Sequence, residues 1–198
     1  MMRSISFTFL IAFITLLVLG SCKSDYQRMK DREMAKGVRV DSLFLGIHLG
    51  MERQAFFDRC TELNKQQLIT QGGAAGLDVT HTLDGLKYRA GMDFYPTFRD
   101  DKIYEMPVDF HYYGWSPWAK DMFSDKLVGD VVRLLEEWYG KGFIRMEYPG
   151  KYPAYVKVDG NRRILVAQKD DQYVRAIFTD LLVQEEIDKE KKLAESKK

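Results

Sequence analysis

The sequence predicts an α+β domain in which an antiparallel β-sheet packs against two or three helices. Two segments place apolar residues three and four positions apart, as one face of an α-helix does. Residues 86–112 alternate apolar and polar side chains around one break, which is typical of a half-buried hairpin. Residues 143–178 contain four short alternating runs separated by turn-forming clusters, which predicts a four-strand meander. With 198 residues, 45% of them hydrophobic, the chain is long enough for one such domain.

The N-terminal residues are typical of an export signal. Arg3 precedes an uncharged apolar stretch of about fifteen residues, ISFTFLIAFITLLVLG, which is short for a membrane-spanning helix. The stretch ends in Leu19-Gly20-Ser21-Cys22, which resembles the lipobox of bacterial lipoproteins. The resemblance implies removal of residues 1–21 and acylation of the Cys22 sulfur, which would tie the protein to the lipid bilayer. An ordinary cleaved signal or an uncleaved anchor is the alternative.

Residues 22–37 are charged and nearly free of large apolar side chains. Such a segment cannot bury enough surface to fold alone, so we expect a flexible tether that leads into a single domain over residues 38–180. Some lipoprotein families use a run of acidic residues just after the cysteine to reach the cell surface. In this chain the segment after the cysteine, KSDY, has only one acid, Asp25. We therefore expect a lipid-anchored protein of the cell envelope, at the outer membrane and facing the periplasm.

The first predicted helix lies in ERQAFFDRCTELNKQQLI, where Phe56, Cys60, Leu63 and Leu68 keep to one face. The glycines at 72, 73 and 76 follow that helix and precede strands. A dinucleotide-binding loop has the opposite order, so we interpret these glycines as a helix end and a turn. We interpret Cys60 as a small buried apolar residue, and the lipid accounts for Cys22 without a disulfide.

The hairpin is the most regular part of the pattern. If Phe94 and Val108 share the core face, even-numbered residues must pair with even-numbered ones. That pairing excludes a plain two-residue loop at Asp100-Asp101 and requires an odd-length loop or a β-bulge. The apolar side chains occupy even-numbered positions on both strands. They are Leu86, Tyr88, Ala90, Met92, Phe94 and Phe98 on the first strand, and Tyr104, Met106, Val108, Phe110 and Tyr112 on the second.

The remaining elements follow the same two periodicities. Ser116 and Pro117 predict the start of a second helix, and Gly140 and Gly142 its end. The meander has the runs FIRMEY, AYVKV, RILVAQ and YVRAIF, and residues 181–198 predict a charged C-terminal helix whose end frays. A helix followed by antiparallel strands occurs twice, although no matching residues establish a duplication. The apolar stripe of the second helix contains Leu127, Val131, Leu134, Leu135 and Trp138.

The folded part opens with FLGIHLGM and runs directly into the first amphipathic helix. Together with the lipobox, this opening resembles bacterial lipoproteins with the β-lactamase-inhibitor-like fold, a group that includes a small outer-membrane assembly lipoprotein. The resemblance implies a domain that binds other proteins and has no catalytic centre. This chain has a longer second half than that family, so no binding residue is carried over.

Charge and motifs narrow the function classes. The 30 Lys and Arg residues nearly balance the 29 Asp and Glu residues, and the formal charge of +1 falls to zero when Arg3 is removed, so no nucleic-acid partner is expected. The three histidines have no metal-motif spacing, and the sequence contains no H-E-x-x-H, G-x-S-x-G or P-loop signature. We therefore expect no cofactor and no metal site, and the missing motifs favour a protein that is not an enzyme.

The polar face of the hairpin carries the strongest catalytic hypothesis. The predicted register places Asp93 opposite Asp109, with His111 two residues along and Arg89 near. Paired carboxylates can share a proton or hold a cation. The alternative is a solvated face on which Lys87 and Arg89 balance the acids.

A second candidate is the segment DFHYYGWSPW, whose residues Tyr112, Tyr113, Trp115 and Trp118 we call the aromatic corner. Alternation sends Tyr112 inward and Tyr113 outward. Aromatic side chains combine a large contact area with a polar edge, which suits a protein partner or a sugar. Equally, such residues plug the junction between a sheet and a helix.

Together these patterns predict a membrane-tethered envelope lipoprotein whose domain is a protein-binding or assembly module. Its partners would be the bilayer, through acylated Cys22, and an envelope or outer-membrane protein, because confinement to a surface raises effective concentration. The alternative is a glycan-binding or glycan-processing envelope protein that uses the aromatic corner, with Asp93 or Asp109 as acid or base.

Overall fold

The computed structural model describes residues 23–71 and 78–196; Cys22, the lipobox and the glycines at 72, 73 and 76 lie outside the described residues. The described part contains four α-helices and nine antiparallel strands in one sheet, which confirms the α+β class with an antiparallel sheet packed by helices. The helices are α1 Asp25–Ala35, α2 Arg53–Lys65, α3 Ser124–Tyr139 and α4 Leu181–Glu195. The strands are β1 Ile69–Gln71, β2 Val79–Leu83, β3 Ala90–Phe94, β4 Thr97–Arg99, β5 Lys102–Tyr112, β6 Ile144–Met146, β7 Ala154–Asp159, β8 Arg162–Gln168 and β9 Val174–Asp180.

The sheet has the order β1-β2-β3-β5-β9-β8-β7-β6, and β4 pairs with β5 beside this path. The predicted meander is therefore confirmed as β6 to β9. The hairpin and the meander join through β5 and β9, which lie side by side at the centre of the sheet. In each half a helix, α2 or α3, precedes the strands, and the last strand of each half lies at this central seam.

The hairpin has the predicted even-with-even register, and a β-bulge accounts for it. Phe94 lies opposite Val108, so even-numbered residues pair with even-numbered ones. The turn at Asp100-Asp101 does have two residues, with positive φ angles of 48° and 63°, as tight hairpin turns require. A register shift between Thr97 and Phe98 then restores the even pairing, which confirms the predicted bulge.

The bulge also changes which side chains enter the core near the turn. Ile103 is buried, whereas Tyr104, which simple alternation places on the apolar side, is only partly buried. An extra residue on one strand shifts the inward side chains by one position, so the alternation holds only from Met106 onward.

Helices α2 and α3 cover the core face of the sheet. Their inward residues Phe56, Leu63, Leu127 and Val131 are buried in one core cluster with even-numbered residues of β3, β5 and β9. The helix predicted from Ser116 starts later, at Ser124, because a short 3₁₀ turn at Lys120–Met122 intervenes. Ser124 is fixed by a 2.9 Å hydrogen bond from its backbone nitrogen to the carbonyl oxygen of Asp171.

Two apolar residues of the predicted helical stripes are not core residues. Gln67 has a positive φ of 59° just after α2, so the chain turns before Leu68, which is 42% exposed. Trp138 lies in the last turn of α3 and is 40% exposed. Gly140 follows α3 with a φ of 80°, which confirms the predicted helix end.

The segment expected as a flexible tether contains a helix instead. Helix α1 begins after Ser24, whose hydroxyl accepts a 3.2 Å hydrogen bond from the backbone nitrogen of Gln27. Its buried residue Met29 packs with Val158 of β7 and Leu181 of α4. The expectation failed because it counted only the apolar residues of the segment itself, whereas most of the docking surface belongs to the sheet.

Helix α4 confirms the predicted C-terminal helix, and the Asp180 side chain accepts a 3.0 Å hydrogen bond from the backbone nitrogen of Leu182 at its start. Lys30 of α1 pairs with Glu185 of α4 at 2.9 Å, which ties these two helices together. Among residues 23–71 and 78–196, none of the helices has the length and apolar character needed to cross a bilayer.

Candidate functional site

We use the name open face for the side of the sheet opposite α2 and α3. Directly paired residues share a face, so the register defines one row across six strands of the open face. Helix α1 covers one end of this face, where Met29 lies on Val158. The row is Ala154, Ala167, Arg175, Asp109, Asp93 and Thr80.

The predicted juxtaposition of Asp93 and Asp109 is confirmed, because they are direct partners between β3 and β5. Asp109 forms a two-pronged ion pair with Arg175, with both nitrogen–oxygen distances at 2.7 Å, and a second ion pair with Lys169 at 2.8 Å. Burial alone would raise the pKa of Asp109, but the hydrogen bonds from Arg175 and Lys169 lower this pKa below its ordinary value. Asp109 is therefore an ionised group with partners from its own chain.

Asp93 has different partners on the same face. The Thr80 hydroxyl donates a 2.6 Å hydrogen bond to Asp93, and Nδ1 of His111 lies 3.3 Å from the other carboxylate oxygen. The His111 ring lies over Gly91, its direct partner on β3, where an added Cβ would collide with the ring. The Tyr173 ring packs on another side of the imidazole, with its centroid 5.3 Å away.

The cations that balance the acids are not the predicted ones. Arg89 pairs with Asp84 at 3.2 Å, and Lys87 lies over the ring of Tyr88. Arg175 and Lys169 take their place, and both lie more than fifty residues from Asp109 in the sequence. Sequence reasoning missed them because the pairing of β5 with β9 has no local signal.

Asp93 and Asp109 have hydrogen-bond partners within the chain, whereas Nδ1 of His111 is shielded from solvent without one among the described residues. A shared proton requires two carboxylates that compete for it, whereas Asp109 is held ionised by two cations. Across the two described stretches of the chain, no cluster of three or more His, Cys, Asp or Glu side chains is placed to hold a metal ion. The geometry therefore favours a structural role for these three residues in holding β2, β3, β5 and β9 together.

The aromatic corner divides into packed and exposed side chains. Tyr112, predicted as a binding residue, is buried and its hydroxyl donates to Asp130, so its side chain is not accessible to a partner in this structure. Trp115 is partly buried and tilts against Phe123, with ring centroids 5.8 Å apart. Tyr113 is 46% exposed and Trp118 is 83% exposed. Only these last two can contact a large partner without rearrangement of the core.

The open face also contains a cleft that the sequence analysis did not identify. It encloses about 830 Å³ between a loop that carries Tyr148 and Tyr152 and a strand floor of Ala154, Leu165 and Ala167. We call this space the tyrosine cleft. The available signal was the segment YPGKYP, which repeats Tyr-Pro on either side of a glycine and which we interpreted only as a turn.

A second cavity, of about 490 Å³, adjoins the tyrosine cleft and shares Tyr152 with it. Its other aromatic residues are Trp115 and Tyr173, and its polar residues come from the loop between β8 and β9. The indole nitrogen of Trp115 is shielded from solvent and has no hydrogen-bond partner among the described residues. The two cavities meet at Tyr152, at the end of the open face that α1 does not cover.

Cys60 takes no part in either region. It is partly buried against the core, and burial raises the pKa of its thiol to about 11. The reactive thiolate is therefore scarce at neutral pH.

Comparisons with protein-family models, with curated proteins and with solved structures found no match to this chain. The functional assignment consequently depends on the side chains themselves. The two features that bear on it are the exposed aromatics and the cavities at the uncovered end of the open face.

Proposed function

We propose that this protein is a lipid-anchored module of the bacterial cell envelope that binds another envelope protein through Tyr113 and Trp118. The observation that carries the proposal is the 83% exposure of the Trp118 side chain. Water solvates an indole poorly, and exposed tryptophans are strongly enriched among the residues that dominate protein–protein affinity. An apolar pocket on the partner would remove this surface from water.

The surroundings of Trp118 fit a protein partner. Tyr113 lies on the same corner, and the Arg89 guanidinium lies 5.8 Å from the centre of its ring. Tyrosine, tryptophan and arginine are the three residue types most common at interaction hot spots. The lack of a marked charge excess in the whole sequence agrees with a contact driven by aromatic burial rather than by electrostatic steering.

The lipid on Cys22 would give the module its location. Only Lys23 and Ser24 separate this cysteine from helix α1, which is docked on the sheet. Two residues span about 7 Å at most, so the lipid would hold the domain close to the bilayer. Confinement to the periplasmic side of the outer membrane would raise the effective concentration of the module toward partners there.

Crosslinking in the envelope tests the partner. Full-length protein with a C-terminal tag is expressed in a bacterial host, crosslinked and purified, with Trp118→Ala and the control Trp138→Ala prepared in parallel. We expect one abundant envelope protein to co-purify with wild type and with Trp138→Ala, and to be lost with Trp118→Ala. No stoichiometric partner, or equal capture by all three proteins, would contradict the proposal.

Membrane fractionation tests the anchor separately. Cys22→Ser should move the protein from the membrane fraction to the soluble fraction, because the acylated sulfur is removed. A variant that stays as tightly bound as wild type would show that the lipid is not the anchor.

The geometry does not favour Asp93 and Asp109 as the acid or base of a glycan-processing enzyme. An acid or base must face a groove that admits substrate, but Asp109 is paired with Arg175 and Lys169, and neither Asp93 nor Asp109 lines the tyrosine cleft or its adjoining cavity. We therefore do not extend the proposal to catalysis.

A further inference from the structure

We infer that the tyrosine cleft and its adjoining cavity bind an uncharged oligosaccharide. This site uses Tyr148, Tyr152, Trp115 and Tyr173, and it is independent of the protein partner at Tyr113 and Trp118. Binding, rather than cleavage, is the activity that these side chains support.

The size and position of the cavities suit a chain of sugar rings. Volumes of about 830 and 490 Å³ lie in the range of small-molecule sites, and Tyr152 lies between them. Tyr148 and Tyr152 are 46% and 48% exposed, so their rings are accessible along the wall of the cleft. Adjacent open cavities with a shared aromatic wall can hold consecutive units of one elongated ligand.

The lining combines the two surfaces that a sugar ring presents. A pyranose has an apolar face of C–H groups and a rim of hydroxyls, so it stacks on an aromatic ring while its edge forms hydrogen bonds. Tyr148, Tyr152 and Tyr173 supply aromatic surface, and Gln172 supplies a side-chain amide. An acyl chain would have no use for that amide.

Trp115 adds a further aromatic side chain to the adjoining cavity, which it lines together with Tyr152 and Tyr173. Its indole nitrogen is shielded from solvent, so a ligand in the open cavity would contact the ring rather than the N–H group. Contact with a sugar would therefore change the environment of the indole without a new hydrogen bond to it.

The charges of the lining favour an uncharged ligand. The cavities contain two lysines, Lys151 and Lys169, and two acids, Asp170 and Asp171. Lys169 is already paired with Asp109 at 2.8 Å. The Asp170 carboxylate already accepts hydrogen bonds from the backbone nitrogens of Gln172 and Tyr173. The four lining side chains carry two positive and two negative charges, so no net charge selects an anion or a cation.

The polar side of the site is held in place before any ligand binds. The hydroxyl of Ser124 on α3 accepts a 3.0 Å hydrogen bond from Gln168, and the Ser124 backbone nitrogen donates to the Asp171 carbonyl. The backbone nitrogen of Lys169 donates a 2.9 Å hydrogen bond to the backbone carbonyl of Tyr173, which links the two ends of the loop between β8 and β9. A fixed loop loses little conformational entropy on binding, which favours affinity.

Nuclear magnetic resonance of the indole groups gives a direct test. The chain has three tryptophans, so the N–H signals of Trp115, Trp118 and Trp138 can be followed separately during titration. The probes are the tetramer of N-acetylglucosamine and maltotetraose at millimolar concentration. We expect at least one probe to shift the Trp115 signal while the Trp138 signal stays fixed.

Variants distinguish stacking from general surface effects. Tyr152→Ala should weaken binding of the active probe about tenfold, whereas Tyr152→Phe, which keeps the ring, and Phe57→Ala, at an exposed aromatic of α2 outside both cavities, should bind as wild type does. The inference is overturned if neither probe moves the Trp115 signal, or if Phe57→Ala weakens binding as much as Tyr152→Ala. Because Trp118 has no part in the cleft, loss of this site would leave the crosslinking result of the proposed function unaffected.

Discussion

The open face of the sheet has two contrasting regions. Around Asp93 and Asp109, the polar side chains find partners within the chain, with Arg175, Lys169 and Thr80 supplying ion pairs and hydrogen bonds. In the tyrosine cleft, Tyr148 and Tyr152 are about half exposed to solvent. The first region is therefore dominated by ion pairs and hydrogen bonds within the chain, and the second by aromatic rings that are open to solvent.

This difference separates stability from binding. A carboxylate with two bound cations stabilises the strands that carry those groups, and its removal leaves the cations without a partner. An exposed aromatic side chain contributes little to folding, because it stays in water in the folded state. Residues that gain partners only when a ligand arrives are therefore expected in the second region.

A third part of the open face, covered by α1, gives the largest expected effect on stability. Met29→Ala should lower the free energy of unfolding by about 2 to 3 kcal/mol, because it leaves Val158 and Leu181 with an unfilled space. Urea unfolding measures the loss, and limited proteolysis should cut residues 23–37 faster than in wild type. Arg28→Ala, at an exposed position of the same helix, is the control and should change neither result. Equal proteolysis of wild type and Met29→Ala would contradict the docked helix.

Removal of the Asp109 carboxylate should have the next largest effect. Asp109→Ala should cost about 2 kcal/mol of unfolding free energy, since Arg175 and Lys169 lose their shared partner in a partly buried position. Asp84→Ala is the matched control, because the exposed pair of Asp84 with Arg89 should contribute less than about 1 kcal/mol. Equal losses from both variants in urea would show that the network around Asp109 has no special role.

The pH dependence sharpens the same contrast. The pKa of folded Asp109 lies below its ordinary value, so its stabilisation is complete above the unfolded pKa of about 3.9 and is lost as the pH falls through the folded pKa. The difference in unfolding free energy between wild type and Asp109→Asn should therefore be constant above about pH 5 and shrink below about pH 4. A difference that grows on acidification would contradict this assignment.

The sequence predicted the features that depend on local periodicity. The facing positions of Asp93 and Asp109 follow from strand parity, and the bulge near Thr97 follows from the same rule. The partners of Asp109 depend on the contact of β5 with β9, which joins distant segments. Local patterns contain no information on which strands of two separate units become neighbours.

Local sequence patterns could not predict the direction of side chains in turns or the docking of α1 on the sheet. YPGKYP predicts a turn because of its proline and glycine residues, but a turn has no fixed periodicity that would place Tyr148 and Tyr152 along a cleft. Helix α1 has few apolar residues, and Met29 finds its contacts on β7 and α4. Both features depend on tertiary neighbours that are remote in the sequence.

The most direct measurement is the free energy of unfolding of the double variant Trp118→Ala/Tyr152→Ala in urea, beside wild type. Both side chains are exposed, so the account predicts a change within about 0.5 kcal/mol, together with loss of the crosslinked partner and weaker oligosaccharide binding. A loss of about 2 kcal/mol or more would show that these aromatic side chains support the fold, and would contradict their assignment to binding.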